Sequence, residues 1–404
     1  RVFVHNRLTH SLEVASVGRS LGMIVGEALA ELPALANNPL AQDFYRNQLK
    51  SVISAACLAH DLGNPAFGHS GEEAISKYFL DRQNDQGFRA AFSDAEWEDL
   101  ISFEGNANAL RLLSRQFNGR LKGGQQVTYT TLASILKYPC ESLARDKTKG
   151  KHRSKYGYFQ SDKAVFETLV EKLPFRKDSD QPLAYFRHPF VFLVEAADDI
   201  CYSIIDYEDA HRLGILTYAE VREDFMALLE ADPNTDISRV HRNLENLRED
   251  KNESVAYLRA KVINLLVQAC ADAFLAHADD LLQANFKSSL LSSLEPFQKA
   301  LSRIEKKSIG RIYSHESVMK IELAGFKIMS GLIEDFVEAA LMPAKLRQKR
   351  HQKILALIPY QYIFKEEDSP YEKVMSILDF VSGMTDNYAL ELYRNLRGIS
   401  VPGI

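Results

Sequence analysis

The sequence predicts an all-α protein, a helical core with a C-terminal helical extension. Three observations carry that expectation. Apolar residues recur at three- and four-residue steps along most of the chain, as helices with one buried face require. Clean alternation of apolar and polar residues, which a half-buried strand requires, is nearly absent. The composition, 46% hydrophobic and 25% charged over 404 residues, suits a globular protein and excludes a disordered chain or a fibrous rod.

In the first helix, Leu8, Leu12, Ala15, Leu21, Ile24 and Leu29 form one stripe, with Gly18 bridging Ala15 to Leu21 and polar Glu13, Arg19 and Glu27 between. A second helix is expected from about Asp43 to Asp61, with Leu49, Val52, Ile53 and Ala56 apolar. It should stop at Leu62-Gly63-Asn64-Pro65, where Gly suits a left-handed cap and Pro forbids continuation. The next helix should restart at Ser70, because Ser70-Gly71-Glu72-Glu73 has the spacing of a capping box. Residues from about 82 to 103 are polar and aromatic and read as an excursion. Val127-Thr128-Tyr129-Thr130, after Gly123-Gly124-Gln125, fits a short strand or a helix start. The basic stretch around 145–157 contains Gly150 and reads as a loop. A helix is expected from about Pro189 to Leu213, and amphipathic helices from Val255 to Leu396 with breaks at Pro343 and Pro359. The charged stretch 231–254 is the natural linker or hinge. The expected organisation is a core over 1–230, that linker, and a helical region over 255–404 packing on the core.

A net charge of −5 removes the case for a generally basic protein. Cys57, Cys140, Cys201 and Cys270 are scattered and form no CxxC, so neither a disulfide framework nor a cysteine-bound zinc is expected. That pattern suits a reducing cytoplasm. No apolar run approaches the ~18 residues that span a bilayer, so no membrane partner is expected. The chain opens at Arg1 rather than Met, directly at a helix start, and residues upstream are expected to be missing.

Four features point to chemistry. His60-Asp61 sits at the end of an apolar helix, where a partly buried imidazole and carboxylate need partners, and a divalent cation would serve both. Alone, the pair reads as easily as a surface His beside a carboxylate. His10 is a second imidazole on a helix, a position more often filled by an ordinary core or surface residue. Glu195, Asp198, Tyr202, Asp206 and Asp209 share one face of an otherwise apolar helix, facing either cations or solvent. His69 and Glu72 stand three apart at a helix start directly after the His-Asp pair, spaced as a base and its orienter. Glu72 would also suit the helix dipole with no catalytic role. Two histidines and two carboxylates together make a four-ligand nitrogen and oxygen site. It would suit Mn, Fe, Mg or Zn and could polarise a phosphoryl oxygen or activate water.

The order H…HD…D resembles the HD-domain phosphohydrolases. The flanking words are more specific: Arg7-Leu8-Thr9-His10-Ser11-Leu12-Glu13, then the run Ala59 to Glu72, then Phe103-Glu104-Gly105-Asn106-Ala107, Leu136-Lys137-Tyr138-Pro139 and Glu195-Ala196-Ala197-Asp198-Asp199-Ile200. These, with Ser382-Gly383-Met384-Thr385-Asp386, resemble the bacterial dGTPase branch, the deoxynucleoside triphosphate triphosphohydrolases. The resemblance implies an HD-type helical core and one divalent metal ion, Mn, Mg, Fe or similar, on His10, His60, Asp61 and Asp198. It implies His69 and Glu72 as the catalytic pair acting with a water at the α-phosphorus. Arg7 and Asn64 would face the phosphates, Tyr202 and Asp206 the sugar and γ-phosphate side, and Asn106, Lys137 and Tyr138 the rest of the pocket. Tyr202 beneath the ribose would exclude a 2′-hydroxyl by crowding.

The implied reaction converts a dNTP, foremost dGTP, to deoxynucleoside and tripolyphosphate. A homo-oligomer is implied as well. Family members usually carry an Arg-rich segment upstream of the first word, and that segment is expected to be among the residues missing before Arg1. The run Lys147, Lys149, Lys151, Arg153, Lys155 reads as a solvated loop or as an aid to triphosphate or single-stranded nucleic-acid binding. Two rival readings are another HD-type phosphohydrolase, a nucleotidase or phosphodiesterase, and a non-catalytic nucleotide- or nucleic-acid-binding module.

Overall fold

A computed structural model describes residues 6–400, of which helices are the dominant element. The helices used below are α1 (Arg7–Ala30), α2 (Leu49–Ala59), α3 (His69–Leu80), α4 (Asp94–Ile101), α5 (Gly105–Ser114), α6 (Tyr129–Ile135), α7 (Lys163–Lys172), α8 (Val191–Arg212), α9 (Tyr218–Glu230), α10 (Ile237–Asn246), α11 (Lys251–Ala276), α12 (Gln298–Lys307), α13 (Glu316–Leu341), α14 (Pro370–Ser382) and α15 (Asp386–Leu396). The all-α expectation holds. Among the described residues the only sheet is an antiparallel pair, β1 (Lys177–Asp180) and β2 (Leu183–Tyr185).

Two compact units divide the chain. One comprises Arg1–His60, Ala133–Ile135 and His188–Glu316; the other comprises Asp61–Leu132, Leu136–Arg187 and Ser317–Ile404. In the first, α1, α2, α8 and α11 pack together. Gly18, Gly22 and Gly26, one helical turn apart, let α1 and the stretch that leads into and forms α2 approach closely. A Cβ on Gly18 would lie 2.3 Å from Cys57 Sγ, one on Gly22 2.9 Å from Lys50 Cα, and one on Gly26 2.2 Å from the Tyr45 carbonyl oxygen. Val14, Leu21 and Val25 fill the same face against Leu49 and Ile53, all with no exposed surface. Asp224, wholly buried on α9, is ion-paired by Lys307 Nζ at 2.6 Å and by Arg303, tying α12 to this bundle.

The second unit holds its own core, in which Phe79, Trp97, Phe103 and Phe159 meet Phe336 and Phe380. Arg111, buried on α5, donates through Nε to Asp379 Oδ1 at 2.6 Å and through Nη1 to Asp162 at 3.1 Å. It thereby fixes α5 against α14.

Several local expectations need correction. The second helix is shorter than expected: a wide five-residue turn, Phe44–Gln48, precedes α2, which ends at Ala59, so His60 caps it and Asp61 lies beyond. The Ser70–Glu73 capping box does not form. The turn from Pro65 to Gly68 already supplies the start, with Gly68 as N-cap, and α3 begins at His69. Val127–Thr130 is a helix start, with Thr128 Oγ1 accepting from the Thr131 N–H at 3.2 Å. The charged stretch 231–254 is largely helical: it contains all of α10, with Val240 and Leu244 buried, and the first turn of α11.

Candidate active site

In the first unit, α1 delivers His10, the end of α2 delivers His60, and α8 delivers Asp198. Asn6 starts α1: its side chain accepts from the Thr9 N–H at 3.1 Å while Thr9 Oγ1 accepts from the Asn6 N–H at 2.8 Å. The helix is therefore firm by the turn that carries His10. The glycine contacts then set the α1–α2 separation, and the imidazole centroids of His10 and His60 stand 5.6 Å apart. Asp198 Oδ1 lies 3.3 Å from His10 Nε2 and 3.4 Å from His60 Nε2.

His60 Nδ1 is 2.6 Å from the Cys57 carbonyl oxygen. A carbonyl only accepts, so Nδ1 carries a proton, and a neutral ring would present its Nε2 lone pair to Asp198. Lone pairs this close to a carboxylate oxygen repel unless a cation or a proton lies among them. Asp61 is joined to His60 by the peptide bond, and the ligand atoms of His10, His60 and Asp61 all lie within 4.8 Å of one another. The donors are nitrogen and carboxylate oxygen, and the second imidazole nitrogen is anchored to a carbonyl as metal-binding histidines commonly are. The residues fit a divalent metal ion.

In the second unit, Asp61 Oδ1 accepts from Asn64 Nδ2 at 2.8 Å. Phe67 and Gly68 both adopt left-handed backbone, φ 62° and 58°, which turns the chain sharply into α3. The strained Phe67 is held by its N–H, which donates to Asp386 Oδ1 at 2.9 Å, and by α13, where a Cβ on Gly325 would lie 2.4 Å from the Phe67 ring. His69 is exposed at the helix start and Glu72 is half-buried one turn on. Both line a cleft of about 710 Å³ together with Glu104, Arg145, Lys147 and Lys155.

Glu72 Oε1 accepts from the Gly105 N–H at 2.8 Å, at the positive end of α5. The fit is tight, since a Cβ on Gly105 would meet Asn64 Oδ1 at 2.2 Å and Glu72 Oε1 at 2.7 Å. Burial, reinforced by the Glu104 charge, nevertheless holds the Glu72 carboxyl above its ordinary value, against the opposing pull of Lys155, the Gly105 N–H and His69. Asn106 Nδ2 donates to Glu104 Oε1 at 2.6 Å. Lys137 is half-buried, and Tyr138 is buried with its carbonyl oxygen closely packed on Gly157.

Arg7 is exposed at the start of α1. Tyr202 and Asp206 follow Asp198 along α8. Tyr202 is 48% exposed, so its ring is open to a ligand on one side. On the other it stacks on Tyr313, centroids 5.1 Å apart and planes within 13°. The Tyr313 O–H donates to Asp206 Oδ2 at 3.0 Å, while burial pushes the Asp206 carboxyl up to about 6.

The structure thus gathers Arg7, His10, His60, Asp198, Tyr202 and Asp206 in one unit, and Asp61, Asn64, His69, Glu72, Asn106, Lys137 and Tyr138 in the other. Sequence reasoning gave no role to Glu104 or Tyr313. Glu104 lies inside a motif word and could have been found there. Tyr313 lies in no motif and carries no local signal. Among the described residues no helix is long and apolar enough to cross a membrane.

Comparison with known proteins gives the family. Residues 7–126 match the HD domain, and residues 291–395 match the phosphohydrolase-associated domain. The chain is an HD-domain phosphohydrolase. It is 36% identical to a deoxyguanosinetriphosphate triphosphohydrolase-like protein of Synechocystis, over 98% of this chain and 87% of that protein. A protein of the same description from Pseudomonas aeruginosa is 36% identical over 99% of this chain and 87% of its own length. The deoxyguanosinetriphosphate triphosphohydrolase of Salmonella typhimurium is 27% identical over 98% and 87%. Within the HD class, the chain belongs to the deoxyguanosinetriphosphate triphosphohydrolase family.

Proposed function

We propose that this enzyme hydrolyses deoxynucleoside triphosphates, foremost dGTP, to deoxynucleoside and tripolyphosphate. The observation that carries the reading is the convergence of His10, His60 and Asp198 on one point, with Asp61 adjoining, in a chain that matches its relatives nearly end to end. These four residues would hold one divalent ion, Mn, Mg, Fe or similar. That ion would supply charge compensation at a phosphoryl oxygen.

The chain's own side chains do the rest. His69 takes the proton as the water oxygen bonds to the α-phosphorus. Glu72, as a carboxylate, balances the imidazolium charge that results. The bond from the α-phosphorus to the sugar O5′ breaks, and the proton leaves with the deoxynucleoside. Arg7, Asn64, Asn106, Lys137 and Tyr138 bind the triphosphate, whose charge demands cations and hydrogen-bond donors. Tyr202, backed by Tyr313, lies under the sugar, and crowding there rejects a 2′-hydroxyl; Asp206 lines the same side.

The test is incubation with each dNTP and Mn²⁺, singly and in pairs, followed by anion chromatography. Tripolyphosphate supports the reading. Orthophosphate or pyrophosphate overturns it in favour of another phosphohydrolase, and binding without turnover under any metal overturns it in favour of a sensor.

A further inference from the structure

We infer that Glu104 is a positioning residue for the reaction: its buried carboxylate gathers Lys155 and Asn106 beside Glu72 and sets the charge that Glu72 meets. This rests on the hydrolytic reading above. Glu104 also caps α5, its Oε1 accepting from the Asn106 N–H at 3.3 Å, a task a neutral acceptor would serve as well. It is 5% exposed, and an ionised carboxylate there is costly unless it is paired.

One of its partners, Lys155, lines the cleft. Lys155 Nζ lies 2.9 Å from Glu104 Oε2 and 3.1 Å from Oε1, and Asn106 Nδ2 holds Oε1 at 2.6 Å. The next residue, Gly105, gives its N–H to Glu72. One short segment therefore places an anion, a cation's anchor and a backbone donor around a single carboxylate. The charged groups that meet Glu72 or share its cleft are Glu104, Lys155, His69, Glu73, Arg145 and Lys147. Of these, Glu104 pushes the Glu72 carboxyl up, while Lys155 and His69 pull it down. Glu104 and Lys155 thus act on Glu72 in opposite directions and partly cancel, so Glu72 responds to the pair rather than to either alone.

The sign of each variant follows. Glu104→Gln keeps an oxygen for Asn106 but removes the like charge and releases Lys155 towards Glu72. The Glu72 carboxyl then ionises at lower pH, and the acid limb of kcat should move down by roughly one pH unit. Lys155→Gln removes the opposing cation, and the same limb should move up. Merely structural damage would scale kcat without moving the limb, or move it alike in both variants.

The experiment measures kcat against pH for wild type, Glu104→Gln and Lys155→Gln with Mn²⁺ and dGTP, and the carboxyl ¹³C shift of Glu72 against pH in the same proteins without nucleotide. Opposite displacements in the two variants support the inference; unmoved or parallel midpoints overturn it. Should Glu104→Gln fail to fold, Lys155→Gln alone must still raise the Glu72 midpoint. The NMR midpoints do not depend on turnover. Absence of tripolyphosphate from wild type would therefore sink the hydrolytic reading without touching the electrostatic one, and static midpoints would do the reverse.

Discussion

Asp198 presents one carboxylate oxygen to two imidazoles. Asp198→Asn keeps the size of the side chain but offers a weak neutral donor, so the variant should lose its metal. Elemental analysis showing full Mn occupancy would remove Asp198 from the ligand set. His69→Ala and Glu72→Ala act elsewhere. Both should keep metal and nucleotide binding while turnover falls by about 10²-fold or more. Near wild-type hydrolysis of dGTP by either would show the proton-handling assignment to be wrong. His69 and Glu72 stood out in the sequence by their spacing, but the roles expected of them, and of Asp198, came from the longer words around them rather than from any short pattern. The role of Glu104 was not legible, because its meaning is a set of three-dimensional partners. Tyr313 was invisible for the same reason. Its ring matters only because α12 and the turn after it carry it back onto α8.

A helix–helix distance is what brings His10 to His60. Gly22→Ala adds a Cβ 2.9 Å from Lys50 Cα, and backbone has nowhere to go. The α1–α2 pair should part, costing about 1–3 kcal/mol of stability and weakening Mn²⁺ binding together. Unchanged melting and metal affinity would show that the close approach is incidental. A second element-level outcome concerns α4. Asp99 is wholly buried, and its Oδ2 accepts from the Gln160 N–H at 2.7 Å and from the Tyr371 O–H at 2.5 Å. Burial pushes its carboxyl up to about 7. The folded protein holds that proton more tightly than the unfolded chain, whose Asp titrates near about 3.9. The associated stabilisation is full below about pH 4 and is lost as pH rises through about 7. Asp99→Asn fixes a neutral group, so its melting temperature should gain on wild type between about pH 5 and pH 8. A constant difference would show that Asp99 stays ionised. Helix periods were readable from apolar spacing. Boundaries were not: α3 starts early because a left-handed turn, rather than Ser70, begins it. The charged stretch around α10 hid its helix because only Val240 and Leu244 of it are buried.

Over the whole molecule, order along the chain is a poor guide to neighbourhood. The word Ser382–Asp386 resembled its family without suggesting a purpose. The structure gives Asp386 one, since it accepts from the N–H of Phe67, two residues before His69. Asp386→Ala should loosen that turn and lower kcat about tenfold. Metal binding at His10, His60 and Asp198 should be spared, and Asp386→Asn, whose amide oxygen still accepts, should recover most of the rate. A kcat unchanged in Asp386→Ala would deny the tether any part in positioning His69. The tether also imposes a schedule. A growing chain leaves the ribosome with the turn before His69 long before α15 exists, so a nascent or C-terminally clipped product can bury α1 and α2 and yet lack the group that steadies its base. Full steadying of that turn is therefore expected only once α15, the final helix among the described residues, has been made.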